Sequence, residues 1–355
     1  MRKTLCITIL ASLLSAGAAT ADPATRQRLI RHFGSWYSYF PGSRVSVRET
    51  SEIALPGLEA YRVQRHSESK RHQESNVALV DPARGEVFVG RVFHDDARAA
   101  AKRPFDPSSD LASIEAHLTE AYGLPVKVVA KGNRGALREI SISVQQVPGA
   151  SVSYSGYVSE DGASLLLGEF HSLEEGAEAL RKRLLAQTPG VRTGSGAFTV
   201  VEFLDFQCDR CRVRAPEVKK FASERGGMVE VHLLPLTKVH PWAFAAAESA
   251  AALAGVSPRL FTKYEEALFA RAEGMTEKAA RELAADIAEA AGSKKEFEEE
   301  LASGRARERV LSDIRLAMRL GITGTPYFLY EGVLVSGERD LLETYLREKL
   351  PAPAP

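Results

Sequence analysis

Two patterns of apolar positions divide the chain. From Asp22 to about Ser172, short apolar runs alternate with turn signals. Asn76–Val80 and Glu86–Phe93 flank the tight loop Asp81-Pro82-Ala83-Arg84-Gly85. Similar strand-like runs lie at Pro125–Ala130, Glu139–Val147 and Ser151–Val158, and Asp161-Gly162 supplies a hairpin turn before Leu165–Phe170. Helical spacing is confined to Pro23–Phe33 and Asp110–Tyr122, the latter stopped by Gly123 and Pro125. This is the pattern of an α+β domain over residues 22–172. The segment Arg65–His72, with His66, Lys70 and Arg71, reads as a solvated loop. No internal repeat is visible.

Ser172-Leu173-Glu174-Glu175 has the spacing of a capping box, which predicts a helix over about Leu173–Gln187. Val191–Gly196 then holds two glycines, a serine and a threonine, the composition of a flexible joint. Residues 173–196 are therefore expected to link two domains. Beyond them Ala197–Phe206 is too apolar to have a solvated face, which fits a central strand buried on both sides. Helix formers continue over Arg212–Arg225 apart from Pro216, and Met228–Leu234 is a second strand. Pro241–Leu320 contains only helical patterns, with Ser257-Pro258 as a cap with a first-turn proline and Ser293–Glu296 as a further capping box. Tyr327–Tyr330 and Val333–Val335 flank a turn at Glu331-Gly332, a last helix covers about Glu338–Leu350, and residues 351–355 form a tail.

The first 21 residues have the features of a cleavable export signal. Arg2 and Lys3 precede an apolar stretch from Leu5 to Ala18, and Ala19-Thr20-Ala21 offers small residues for cleavage before Asp22. The run is shorter than the ~20 residues that span a bilayer. Periplasmic or other exported localisation follows as an expectation. Charge is balanced at 46 basic and 46 acidic residues, and loss of Arg2 and Lys3 leaves 44 against 46. That balance favours neither nucleic acid nor an anionic membrane as a partner.

Export would also remove Cys6, leaving Cys208 and Cys211 of the three cysteines. A ring of that size constrains little of an unfolded chain, so the pair reads as chemical rather than as a staple. A thiol at a helix start is stabilised as its anion by unpaired amides and the helix dipole. A second thiol three residues on lies about one turn away. Cys208 is thus the candidate attacking thiolate and Cys211 the resolving thiol. Arg210 should favour the thiolate and Asp209 oppose it, and the sequence does not say which dominates. A zinc site is the competing use of C-x-x-C, but the eight histidines are scattered singly and no second pair accompanies it. His94-Asp95-Asp96 is only a faint metal motif. Trp242 and Phe244 fit either a core or a peptide groove.

Val201-Glu-Phe-Leu-Asp-Phe-Gln-Cys-Asp-Arg-Cys211, the helical block opened by His240-Pro241, and Gly321-Ile-Thr-Gly-Thr-Pro-Tyr-Phe328 together resemble the DsbA-like branch of the thioredoxin superfamily over about Ala197–Leu350. The resemblance implies a thioredoxin fold with an all-helical insertion at 241–320 and a cis Thr325-Pro326 beside the cysteines, where a client's extended backbone would pair. It also implies a proton-carrying role for Glu202, for which a solvated strand end is the alternative. The implied activity is thiol–disulfide exchange on exported client proteins, with an unidentified redox partner and no cofactor beyond the Cys208–Cys211 couple. Arg210 stands where DsbA itself has histidine, which separates this chain from that strong oxidant. Tyr157–His171 and the following helix faintly resemble the end of the DsbC/DsbG dimerisation domain, implying a homodimer through the N-terminal domain. The alternative function is a binding or assembly protein that works through that domain, with the thioredoxin domain as scaffold.

Overall fold

The computed structural model describes residues 22–67, 74–95, 106–271, 274–337 and 339–350. Residues 1–21, expected to be an export signal, and the expected tail at 351–355 lie outside these residues, as do Lys70, Arg71, His72 and Asp96. No helix among the described residues is long and apolar enough to cross a membrane.

Among the described residues the N-terminal domain is one eight-stranded antiparallel sheet carrying two helices. Helix α1 (Pro23–Trp36) leads into β1 (Arg44–Glu49), β2 (Glu59–His66), β3 (Glu74–Asp81) and β4 (Glu86–His94). Helix α2 (Pro107–Tyr122) leads into β5 (Val126–Arg134), β6 (Leu137–Val147), β7 (Ala150–Ser159) and β8 (Ser164–Ser172). Each half is a helix followed by a four-strand meander, and the strand order is β1-β2-β3-β4-β8-β7-β6-β5. The halves join through their last strands, paired from Glu86↔Ser172 to His94↔Ser164 and centred on Gly90↔Gly168. The domain is therefore an internal repeat with a pseudo-twofold axis through that glycine pair, a feature the sequence pattern did not reveal. The glycines let the backbones close: a Cβ on Gly90 would lie 2.2 Å from the Leu167 carbonyl oxygen.

Strands β1 and β2 were absent from the sequence reading because charged residues interrupt their alternation. Only Val47 on β1, and Tyr61, Val63 and Arg65 on β2, are buried. Arg65 is not in a solvated loop. It is 3% exposed, donates to the Ser38 carbonyl at 2.8 Å and pairs with Glu74 at 2.7 Å.

The linker also differs from expectation. Helix α3 (Ala177–Gln187) starts four residues late, because Leu173 is buried in the α1 core and its amide is bound by the Gly85 carbonyl. Glu175 does not reach back to a cap but accepts two hydrogen bonds from Arg183, each 2.8 Å. Val191–Thr193, read as a flexible joint, is strand β9, paired antiparallel with β11 (Met228–Leu233).

The C-terminal domain has the five-stranded order β13-β12-β10-β11-β9. Its centre, β10 (Thr199–Leu204), runs parallel to β11 and antiparallel to β12 (Tyr327–Tyr330), which pairs with β13 (Val333–Ser336). Helix α4 (Asp209–Ser223) follows β10. The insertion between β11 and β12 is all helical, as expected: α5 (Ala243–Val256), α6 (Pro258–Ala270), α7 (Glu277–Ala290), α8 (Lys294–Ala302) and α9 (Arg305–Arg319). Ser257 caps α6 as read, accepting from the Arg259 amide at 3.2 Å, whereas Ser293 holds the cap position of α8 without a side-chain bond. Helix α10 (Arg339–Lys349) closes the domain. Trp242 and Phe244 are core residues, 7% and 3% exposed.

The two domains pack as one body. Ala150 and Val152 of β7 belong to the same buried cluster as Val310 and Ile314 of α9. Arg181 of α3 is fully buried and donates to the carbonyls of Ser35, Trp36 and Gly332, while its guanidinium lies 4.8 Å from the Trp36 ring centre. The Tyr39 amide donates to the Leu334 carbonyl at 2.7 Å, and Lys238 reaches the Ala121 carbonyl at 3.1 Å. The C-terminal domain thus touches the ends of both α1 and α2.

Candidate active site

The site grows from the end of the central strand. The apolar residues of β10 bury it on both faces, and Asp205, one residue past its end and 1% exposed, organises the turn that follows. One Asp205 oxygen accepts from the Gln207 amide at 2.7 Å. The other accepts from the Leu236 amide at 2.7 Å and lies 2.7 Å from His240 Nδ1. The Asp205 carbonyl receives the Cys208 amide at 3.2 Å, and Gln207 Oε1 receives the Trp242 amide at 3.1 Å. Sequence reasoning singled out neither Asp205 nor His240 as part of the site.

That turn delivers Cys208 as the residue capping α4, with Cys211 in its first turn. Both are free thiols, Cys208 8% exposed and Cys211 0%. The peptide Thr325-Pro326 is cis, and the Cys208 sulfur lies 3.6 Å from the Thr325 carbonyl oxygen. The expected neighbours Cys208, Cys211 and Thr325-Pro326 are therefore brought together.

Electrostatics separate the two sulfurs. The Cys211 thiol hydrogen-bonds the Cys208 sulfur and, against the opposing effect of burial, draws its pKa down to about 6. The Thr325 side chain and the amides of Cys211 and Arg210 act in the same direction. No full hydrogen bond from the helix amides caps that sulfur, so their effect is electrostatic. Burial pushes Cys211 far up, and the neighbouring Cys208 pushes it further. The Thr325 hydroxyl is buried without a hydrogen-bond partner among the described residues.

Asp209 and Arg210 are exposed at the helix start. The Asp209 carboxylate sits 3.3 Å from Arg212, and Arg210 acts on Cys208 through its backbone amide. Glu202 is 0% exposed rather than at a solvated strand end, and burial pushes it up to about 8, with Lys219 pulling down and Glu265 pushing up. Among the described residues no group of three or more His, Cys, Asp or Glu is placed to hold a metal, and His94 Nδ1 lies 2.7 Å from the Ser164 hydroxyl. On the opposite face of β10, His232 stacks on Phe203 with ring centres 5.0 Å apart. Burial alone would push His232 down, but Asp313 at 2.7 Å and Glu230 at 3.6 Å hold it up at about 9. This buried ion cluster ties the sheet to α9.

Strand, C-x-x-C, helix, helical insertion and cis-proline hairpin give the C-terminal half a thioredoxin-like fold, beside a sheet-rich N-terminal domain. A family model described as Thioredoxin matches residues 195–345. Among solved structures, α-DsbA2 from Wolbachia pipientis, a thiol-disulfide exchange protein, is 19% identical with a TM-score of 0.40, covering 48% of this chain and 95% of its own. The catalytic domain of Proteus mirabilis ScsC is 20% identical with a TM-score of 0.41, covering 48% of this chain and 96% of its own. A curated relative, the Na(+)/H(+) antiporter NhaA 3 of Salinispora tropica, is 32% identical over 139 residues. That match covers 38% of this chain and only 20% of the relative's length.

Proposed function

We propose that the protein is an exported thiol–disulfide oxidoreductase acting on disulfides of client proteins through Cys208 and Cys211. The observation that carries this reading is the pairing of one sulfur held as an anion near neutral pH with a second that is fully buried and kept protonated behind it. In the reductive direction the Cys208 thiolate attacks a client disulfide. The client S–S bond breaks, one client sulfur leaves as a thiolate that takes a proton from water, and a mixed disulfide forms. Cys211 then gives its proton to the Glu202 carboxylate and attacks Cys208. The second client sulfur is released, and a Cys208–Cys211 disulfide remains while the client has gained two electrons. Run backwards, the same steps donate a disulfide. Thr325-Pro326 is the segment against which client backbone would lie. Insulin reduction, with Cys208→Ser as control, tests this reading.

Export is proposed from the leader-like N-terminus and from the use of only two cysteines beyond it. One chain is proposed to act alone, in place of a homodimer through the N-terminal domain. The central seam where two four-stranded halves would meet is filled by the chain's own halves. The outer edges carry exposed charges that oppose strand addition, Arg44 and Arg48 on β1 and Lys127 and Lys131 on β5. Sedimentation equilibrium should return the mass of one chain; a stable two-chain species at micromolar concentration would contradict this.

A further inference from the structure

Two buried carboxyls compete for one ammonium behind the active-site helix. Glu202 projects from β10, and neither of its oxygens has a hydrogen-bond partner among the described residues. Its register neighbours on the flanking strands, Val231 and Phe328, are apolar. The charged groups acting on it are Lys219 from α4 and Glu265 from α6. Lys219 does not bond Glu202. Its ammonium is bound to Glu265 Oε2 and lies 5.9 Å from the centre of the Phe261 ring, one helical turn before Glu265. Glu265 is 2% exposed, and its other oxygen has no partner among the described residues. Burial pushes the Glu265 carboxyl up as well, against the pull of the ammonium bound to it. Three such groups titrate as a unit, and the carboxyl that holds the ammonium keeps more of its charge than the one that does not.

We propose that Glu265 is a positioning residue for the proton step: by holding Lys219 on itself, it leaves Glu202 without an ion-pair partner, so that its carboxylate takes the proton of the resolving thiol and the neutral acid returns it when the steps run backwards. The helical insertion thereby sets the protonation of a group on the central strand. Without Glu265 the ammonium would turn to Glu202 and fix it as a carboxylate, a weaker base for Cys211. This deepens the proposed exchange reaction and rests on Glu202 as its proton carrier.

The test is a pH titration followed by difference infrared spectroscopy, reading the carbonyl stretch of a buried protonated carboxyl, with Glu202→Gln assigning the band. That readout needs no client, so it stands apart from any failure of the exchange activity. In the parent protein the band should be lost at about pH 8. In Glu265→Gln its midpoint should fall by at least about one pH unit, and the pH limb of mixed-disulfide resolution should move with it. Glu265→Asp, which retains the carboxylate, should restore the parent midpoint, and Lys219→Met should raise it. Circular dichroism identifies any variant that fails to fold. An unchanged or higher midpoint in folded Glu265→Gln, or an unchanged midpoint in folded Lys219→Met, would overturn the proposal.

Discussion

Cys208→Ser is expected to reduce insulin no faster than the supporting small-molecule thiol alone. The serine hydroxyl is not ionised near neutral pH, so the alcohol at the head of α4 cannot replace the sulfur anion that its surroundings stabilise. Cys211→Ser should fail differently. Cys208 still attacks, but nothing resolves the product, so a mixed disulfide with the client accumulates and shows as a thiol-sensitive band on a non-reducing gel. Serine at 208 that keeps more than about a tenth of the parent rate would remove the nucleophile from the account. It would favour the alternative in which the N-terminal domain does the work.

The largest loss of stability is expected at Arg181. Its guanidinium is buried with no ion-pair partner among the described residues and spans three carbonyls: two at the end of α1 and one in the β12–β13 turn. Burial lowers its pKa only to about 10, so it stays charged at neutral pH. Arg181→Met would strand those acceptors at ~1–3 kcal/mol each, partly recovered by relaxation, for a net cost of about 3–4 kcal/mol. For a chain of this size that lowers the thermal midpoint by about 5 °C. Because the contacts join both domains, unfolding should lose its single transition as well. A midpoint within about 2 °C of the parent in differential scanning calorimetry would show that the domains are held together by something else.

Sequence patterns reveal chemistry here more readily than architecture. The run Val200–Phe206 leading to Cys208, and Thr325-Pro326 ahead of Tyr327–Tyr330, carry residue types that few other folds would place in that order. The juxtaposition of Cys208, Cys211 and Thr325-Pro326 was legible for that reason. The repeat in the N-terminal domain was not, because its halves share a burial rhythm and a seam glycine but few identical residues. Arg181 precedes Lys182 and Arg183 with nothing in the pattern to mark it for burial, and only the three-dimensional meeting of α1, α3 and the β12–β13 turn buries it. Lys219 with Glu265 and His232 with Asp313 lie 46 and 81 residues apart. Partnerships of that range leave no periodic trace. Val191–Thr193 was mistaken for a joint because an edge strand of three residues between glycines has the composition of a linker.

Differential alkylation of the reduced protein across pH tests the central asymmetry most directly. The account predicts that iodoacetamide labels Cys208 with a rate that is low in acid, rises as the pH passes about 6 and is level above it, while Cys211 stays unlabelled in the folded protein. A midpoint near the ~8.5 of an ordinary thiol, or equal labelling of both cysteines, would contradict it.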